Sequence, residues 1–382
     1  MLDELLALGD RIVAQAKPGE QLEAIAVNEI DTEVRVYDGD IEQFTSATSQ
    51  GIGIRVIADQ RQGFAWAGSL DPSVIEETLA EARDNATFGS VDPDLALAEP
   101  DGVDMPELDL YEPAVAEFAT DDKIALALDL ERKAAAGDPR VVVVESADFA
   151  DSISQGAVVS TTDSRIAGQD SGSYVSAVVI AGDGADETQV GFGYSVNRNP
   201  NELDITHASK MAVERSTRLL GATKPETGRT TIVLDPMVTA SFLGIIGSTL
   251  SGEALLKGRS LFADRIGEQV ASPLITLVDD PTNPKAFTAG EADGEGLATR
   301  RKSLIDNGQL ATFVHNSYTA RRGYGFDRQR RTGFHLNAQR RRDRSVARSW
   351  HPTAGRTDRR HRRRRADPGC FRSAFGCQPC QR

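Results

Sequence analysis

Cysteine is absent from the first 369 residues of this 382-residue chain, and all three cysteines (Cys370, Cys377, Cys380) fall in the last thirteen. A body without thiols excludes a disulfide framework and fits a reducing compartment. Long apolar runs are also missing. No window approaches the ~18 uncharged apolar residues that a membrane span requires, so no membrane partner is expected. The N-terminal MLDELLALGDRIVAQA sets Asp3, Glu4 and Asp10 among its leucines, where a secretory signal would put a basic stretch before an apolar run. It is read as an amphipathic helix of a cytoplasmic protein. Gly51-x-Gly53 lacks the third glycine of a dinucleotide fingerprint and leads into a strand, and no G-x-x-x-x-G-K-[ST] run occurs, so neither NAD nor P-loop nucleotide chemistry is supported. No His-Glu dipeptide occurs anywhere, and no Ser, His and Asp set stands out. His207 lies clear of the C-terminal region on a helical pattern and is read as a surface or core residue.

What is present is ordinary globular material, with 40% hydrophobic and 26% charged residues, in a chain long enough for two to three domains. The net charge of -14 averages two unlike pieces. Residues 321–382 hold 19 of the 43 basic residues, all arginine, against 4 of the 57 acids; that segment is near +15 and the body near -29. The segment has almost no aliphatic residue besides Leu336 and Val346, so it cannot build a core. Its arginines, interleaved with His335, Trp350 and Phe371, could bind nucleic acid. Cys377-x-x-Cys380, with Cys370 and His361 nearby, could form a zinc knuckle or redox pair. The reading adopted is out-of-frame translation after about Gly323, because a GC-rich gene in the wrong frame yields Arg, Pro, Gly and Cys but hardly any Lys. Resequencing that found the frame intact would reject it.

The body reads as α+β, with antiparallel meanders flanked by helices. Residues 1–90 form an N-terminal α+β domain: a helix ended by Lys17-Pro18-Gly19, a meander turning at Asp38-Gly39-Asp40 and near Asp59, and a helix opened by Asp71-Pro72. An acidic surface linker (91–119) follows. A central α+β domain (120–222) has a helix ended by Gly137-Asp138-Pro139, strands turning at Asp163-Ser164, Asp170-Ser171-Gly172 and Asp183-Gly184, and a helix stopped by Gly221. A C-terminal β-rich domain (229–323), incomplete, begins at TTIVLDP and includes ITLVDD, KSLIDNGQL and ATFVHN. Asp279, Asp280, Glu291, Asp293 and Glu295 could bind a cation, but in so acidic a body solvated acids are the plainer reading.

The stretch VTASFLGIIGSTLSGEALLKGRSLF (238–262) reads as a packing helix, with small residues permitting close approach of a neighbour. Together with LDP at 234–236, GEQVASPLITLVDDP, GEADGEGLATRRKSLIDNGQL, HNSYTARRG and the earlier GIGIRV and TTDSRIAGQDSGSY, it resembles the TldD/PmbA family, also known as TldE or modulator of DNA gyrase, over residues 1–323.

That resemblance implies a cytoplasmic metalloprotease assembly in which a TldD-type subunit pairs with a TldE/PmbA-type subunit and acts on unfolded or small peptides. The TldD-type partner carries zinc on a His-Glu-x-x-x-His helix, the glutamate activating water. This chain departs from it. Leu243 and Ser248 stand where the histidines would be and Gly244 where the glutamate would be, so no zinc is expected on this chain and zinc is expected in the partner. Glu253, Lys257 and Arg259 are candidates to line a substrate cleft, or to form a salt-bridged surface turn. A stand-alone metal-dependent peptidase using Asp279 or Asp280, and a gyrase- or nucleic-acid-binding module, are the other readings; a body near -29 repels DNA. If the C-terminal strands are replaced by the Arg-rich segment, apolar faces of the third unit lose their cover, and low solubility or partial disorder is expected there.

Overall fold

The computed structural model describes residues 1–182 and 187–323. The Asp183-Gly184 turn and the readings on the cysteines and the Arg-rich segment therefore lie outside the described residues. The fold is α+β. Helix α1 (Leu2–Val13) and the strands β1 (Gln21–Tyr37), β2 (Asp40–Ala58) and β3 (Arg61–Ala67) precede α2 (Pro72–Phe88). After α3 (Ala114–Glu117) and α4 (Thr120–Ala135) come β4 (Val141–Ser160), β5 (Arg165–Gly182), β6 (Thr188–Asn197) and α5 (Ile205–Thr217).

These six strands form one antiparallel sheet in the order β3-β2-β1-β4-β5-β6. The first two units of the chain thus share a sheet, joined where β1 pairs with β4 from Glu23↔Ser160 to Val36↔Ala147. The β1–β2 link is a two-residue turn, with Asp38 and Gly39 both at positive φ. That conformation matches the twist of the flanking strands and favours glycine at the second position. Asp170-Ser171-Gly172 is no turn: it runs straight within β5, paired with Ser154, Ile153 and Ser152 of β4. Gly172 is needed there because a Cβ would lie 2.2 Å from the Phe287 ring.

Alternate residues on one face of the long strands feed two cores. Near one end Leu22, Ala24, Ala26, Ile54 and Val56 meet Leu5, Leu8 and Ile12 of α1 and Ile75 and Leu79 of α2. Near the other, Val34, Val36, Phe149, Val175 and Val179 meet Leu130 of α4 and Ala208 and Ala212 of α5. Each fully buried aliphatic side chain contributes about 1.5–3 kcal/mol. Between the two cores lies a buried polar group: Lys123 of α4 contacts Asp151 at 2.6 Å and donates to the Thr32 hydroxyl at 3.1 Å.

The third unit is not β-rich among the described residues. It carries α6 (Pro236–Thr249), α7 (Gly252–Leu256), α8 (Ser317–Gly323) and three short strands, β7 (Leu277–Asp279), β8 (Lys302–Asp306) and β9 (Gln309–Leu310). KSLIDNGQL forms the β8–β9 hairpin, turning at Asn307-Gly308. TTIVLDP is not a strand: its backbone has no partner strand among the described residues, and Ile232 and Val233 are 71% and 91% exposed. A core of Leu250, Leu304, Ile305, Leu310 and Phe313 holds the unit together.

The acidic linker is a strap, not a free surface loop. Leu97, Ala98 and Leu110 are buried, and Ala98 packs with Leu297 and Ala320 of the third unit. Asp101 pairs with Arg300, and Tyr318 donates to Asp92 at 2.7 Å. Arg198 donates to the carbonyls of Leu110, Pro284 and Ala286, tying β6's end, the strap and the third unit. Among the described residues no helix is long and apolar enough to cross a membrane.

Candidate functional site

The family-motif positions lie on α6. Asp235 caps the helix, accepting from the Met237 amide at 3.0 Å, and Pro236 at its first position favours the start. Asp235 is also ion-paired to Arg215 and Arg218 of and just after α5. The helix amide and the Arg218 guanidinium hold its carboxyl below the usual range. Asp235 thus anchors the helix start to the central unit.

Leu243 offers no ligand atom and Gly244 no side chain. The Ser248 hydroxyl donates to the Ile245 carbonyl at 2.7 Å, and Ser241 and Thr249 likewise bond carbonyls of their own helix. The donor set at these positions does not fit zinc, which takes Cys, His or carboxylate ligands. Among the described residues no group of three or more His, Cys, Asp or Glu is arranged to hold a metal ion.

The packing role expected of this helix is not realised among the described residues. No residue of α6 is buried; Phe242, Leu243 and Ile245 are 51%, 43% and 61% exposed, and a Cβ on Gly247 would meet nothing within 4 Å. Small residues allow close approach, but no described element packs along the middle of the helix, where Arg215 of α5 reaches only Met237 in the first turn. Only at its C-terminal end do Ile246 and Leu250 enter the third unit's core.

Beyond α6 the chain is stitched to the end of the unit: Val314 donates to Leu250 and Gly252 donates to Val314. α7 follows, capped by Ser251, whose hydroxyl accepts from Ala254. Glu253 and Lys257 pair with each other across one turn at 2.5 Å, both partly exposed, and Arg259 is exposed just past the helix. The three candidate cleft residues therefore share one short surface segment, two of them engaged with one another.

The acidic loop residues are used as amide acceptors. Glu291 accepts from the Leu108 amide of the strap, Asp293 from Glu295 and Leu297, and Glu295 from the amide and hydroxyl of Ser317. Asp280 accepts from Thr282 twice and lies 3.5 Å from Arg301. These acids staple loops; Asp293 is buried. His207 is exposed on α5, its amide capped by Asp204.

Sequence reasoning missed the titratable pair at the heart of this unit. Lys302 opens β8, and burial, reinforced by the charge of Arg300, pushes its pKa down to about 8 against the opposing pull of Asp279, Asp293 and Asp101. His315 is buried beneath Gly252, where a Cβ would lie 2.3 Å from its Nδ1. Burial and then the charge of Lys302 hold its imidazole below the usual range. Such an environment keeps the imidazole neutral near pH 7 and leaves the amine partly deprotonated in mild alkali. No motif marks either residue; only the fold brings β8 and the 313–315 segment together.

Helices and antiparallel strands in this arrangement, with a capped helix leading into a small third unit, define the class. Three family models match in succession: PmbA/TldA metallopeptidase domain 1 over residues 22–86, the central domain over 114–220 and the C-terminal domain over 227–329. The chain belongs to the PmbA/TldD metallopeptidase family. It is 24% identical over 326 residues to metalloprotease PmbA of Escherichia coli O157:H7, covering 84% of this chain and 71% of that one. Among solved structures it resembles a putative modulator of DNA gyrase from Thermotoga maritima (TM-score 0.72, 25% identity, 87% and 73% covered). It also resembles TldE from Thermococcus kodakarensis (TM-score 0.69, 23% identity, 83% and 70% covered).

Proposed function

We propose that this chain is the non-catalytic, TldE/PmbA-type subunit of a cytoplasmic metalloprotease pair, and that its TldD-type partner supplies the zinc and cleaves unfolded or small peptides. The observation that carries this reading is the donor set on α6: leucine, glycine and a back-bonded serine at Leu243, Gly244 and Ser248. Leucine cannot ligate a metal and glycine cannot act as a base, so hydrolysis through a helix-borne zinc does not run from this chain. Two further features support it. Asp280, on which a stand-alone metal-dependent site would draw, already accepts from the amide and hydroxyl of Thr282 and lies beside Arg301. The exposed apolar side chains of α6, Phe242 and Ile245 foremost, suit a surface that another protein covers.

The test is to produce the chain alone and together with a TldD-type partner, then measure zinc content and cleavage of an unstructured peptide. Zinc and cleavage only in the mixture support the pairing. Zinc-dependent cleavage by the chain alone rejects it in favour of an independent peptidase.

A further inference from the structure

The lysines of this chain sort into three kinds. Of the eight, Lys123, Lys133, Lys210 and Lys257 are ion-paired to Asp151, Asp129, Glu214 and Glu253. Lys17, Lys224 and Lys285 are exposed. Lys302 belongs to neither group: half-buried at the start of β8, it makes no ion pair within 4 Å and no hydrogen bond among the described residues. Charged groups nevertheless converge on it. Asp279 is its partner across the β7–β8 ladder, Asp293 comes from the loop before β8, Arg300 precedes it by two residues and Asp101 arrives from the strap. Asp101 is engaged by Arg300, and Asp293 by the amides of Glu295 and Leu297. His315 lies within the field of the lysine's charge. An ammonium held partly away from water with nothing in contact is costly, and burial with Arg300 beside it moves the balance toward the free amine. The free amine is a nucleophile and the ammonium is not.

We propose that Lys302 is a nucleophilic amine that takes up small, neutral carbonyl compounds as imines. Its half-buried position admits a small reagent. With the amine neutral, the carboxylates of Asp279, Asp293 and Asp101 stand against the single guanidinium of Arg300, so an anionic carbonyl compound such as a keto acid is disfavoured. In the step, the nitrogen lone pair forms a C–N bond as the carbonyl π pair moves to oxygen. A proton passes from nitrogen to that oxygen, and the carbinolamine then loses water to leave C=N. The sum is amine plus carbonyl compound giving imine plus water, with no change of oxidation state and no co-reactant.

The experiment treats the full chain near neutral pH with acetaldehyde or with glyoxylate, aldehydes of similar size that differ in charge. Cyanoborohydride is present, and its hydride reduces each imine to a stable secondary amine. Peptide mapping by mass spectrometry then reads the initial rate at each lysine. A folded pKa of about 8 against the ordinary 10.5 leaves on the order of a hundred times more free amine. The weaker nucleophilicity of a less basic amine brings the margin down to roughly tenfold. Lys302 should therefore be ethylated by acetaldehyde about tenfold faster than Lys224 and Lys285. That preference should fall roughly threefold with glyoxylate, and it should vanish in guanidinium chloride, where the fold is lost. Equal ethylation of Lys302 and the exposed lysines in the folded chain, an undiminished preference with glyoxylate, or a preference that survives unfolding would overturn the proposal.

Discussion

Lys123→Met removes the cation from the buried group that separates the two cores. Lys123 and Asp151 are 8% and 7% exposed and 2.6 Å apart, with the Thr32 hydroxyl completing the group. Without the ammonium, the Asp151 carboxylate stays buried with its charge uncompensated, which costs about 3–5 kcal/mol. Replacing the whole group, as Thr32→Val/Lys123→Met/Asp151→Leu, removes the stranded charge and the orphaned hydroxyl together, and should recover most of that loss. The shared sheet with its helices unfolds as a unit of roughly 200 residues, for which each kcal/mol shifts Tm by about 2–4 °C. The single variant should therefore melt about 6–20 °C lower and the triple variant within a few degrees of the parent. Trp66 fluorescence in β3 and far-ultraviolet dichroism together follow both ends of the sheet. A Lys123→Met variant less than about 1 kcal/mol destabilised, or a triple variant worse than the single, would refute the view that this group is a desolvated ion pair.

Lys302→Met provides a pH test. The folded pKa of about 8 lies below the ordinary 10.5, so between those values the unfolded chain binds more protons and folding stability rises with pH. The parent should gain stability relative to Lys302→Met from pH 8 to pH 10.5 in paired thermal melts; a constant difference would mean the lysine is not desolvated. Gly193→Ala would place a Cβ 2.0 Å from the Ala208 carbonyl, where α5 lies flat on β6. Because the obstacle is backbone, a loss of about 1–3 kcal/mol is expected by urea titration, and an unchanged midpoint would count against that close packing. Asp235→Ala removes both the cap of α6 and its two arginine links, so amide exchange should accelerate across α6 while α4 stays protected. Uniform exchange in both would show that something else holds the helix.

The two α+β units were legible because their signals are local and agree: alternation through Leu22–Val36, a proline at the start of α2, and Asp-Gly between β1 and β2. Asp170-Ser171-Gly172 misled because its composition is that of a turn, while the 17-residue pairing of β4 with β5 overrides local preference. That β1 and β4 would meet, fusing two units into one sheet, is a long-range fact with no local mark. The third unit was the least legible. A β-branched run such as Thr230–Val233 becomes a strand only where another backbone pairs with it. The acids of 291–295 looked like solvated loop charges because nothing in sequence reveals which distant amide, Leu108 or Ser317, will reach them. At the site, the lack of a zinc motif could be read directly from residue types, whereas Lys302 and His315 owe their character first to burial and then to a neighbouring cation.

The join between β1 and β4 also has a consequence in time. The residues it pairs are about 110–140 positions apart, and at synthesis rates of roughly 5–20 residues per second, β1 emerges some 5–30 s before its second neighbour exists. During that interval the β1–β2 hairpin can close on its turn but carries an open, half-apolar flank. A chain made this way depends on a companion, whether helix α1 folding back early or a chaperone, until the sheet's other half arrives.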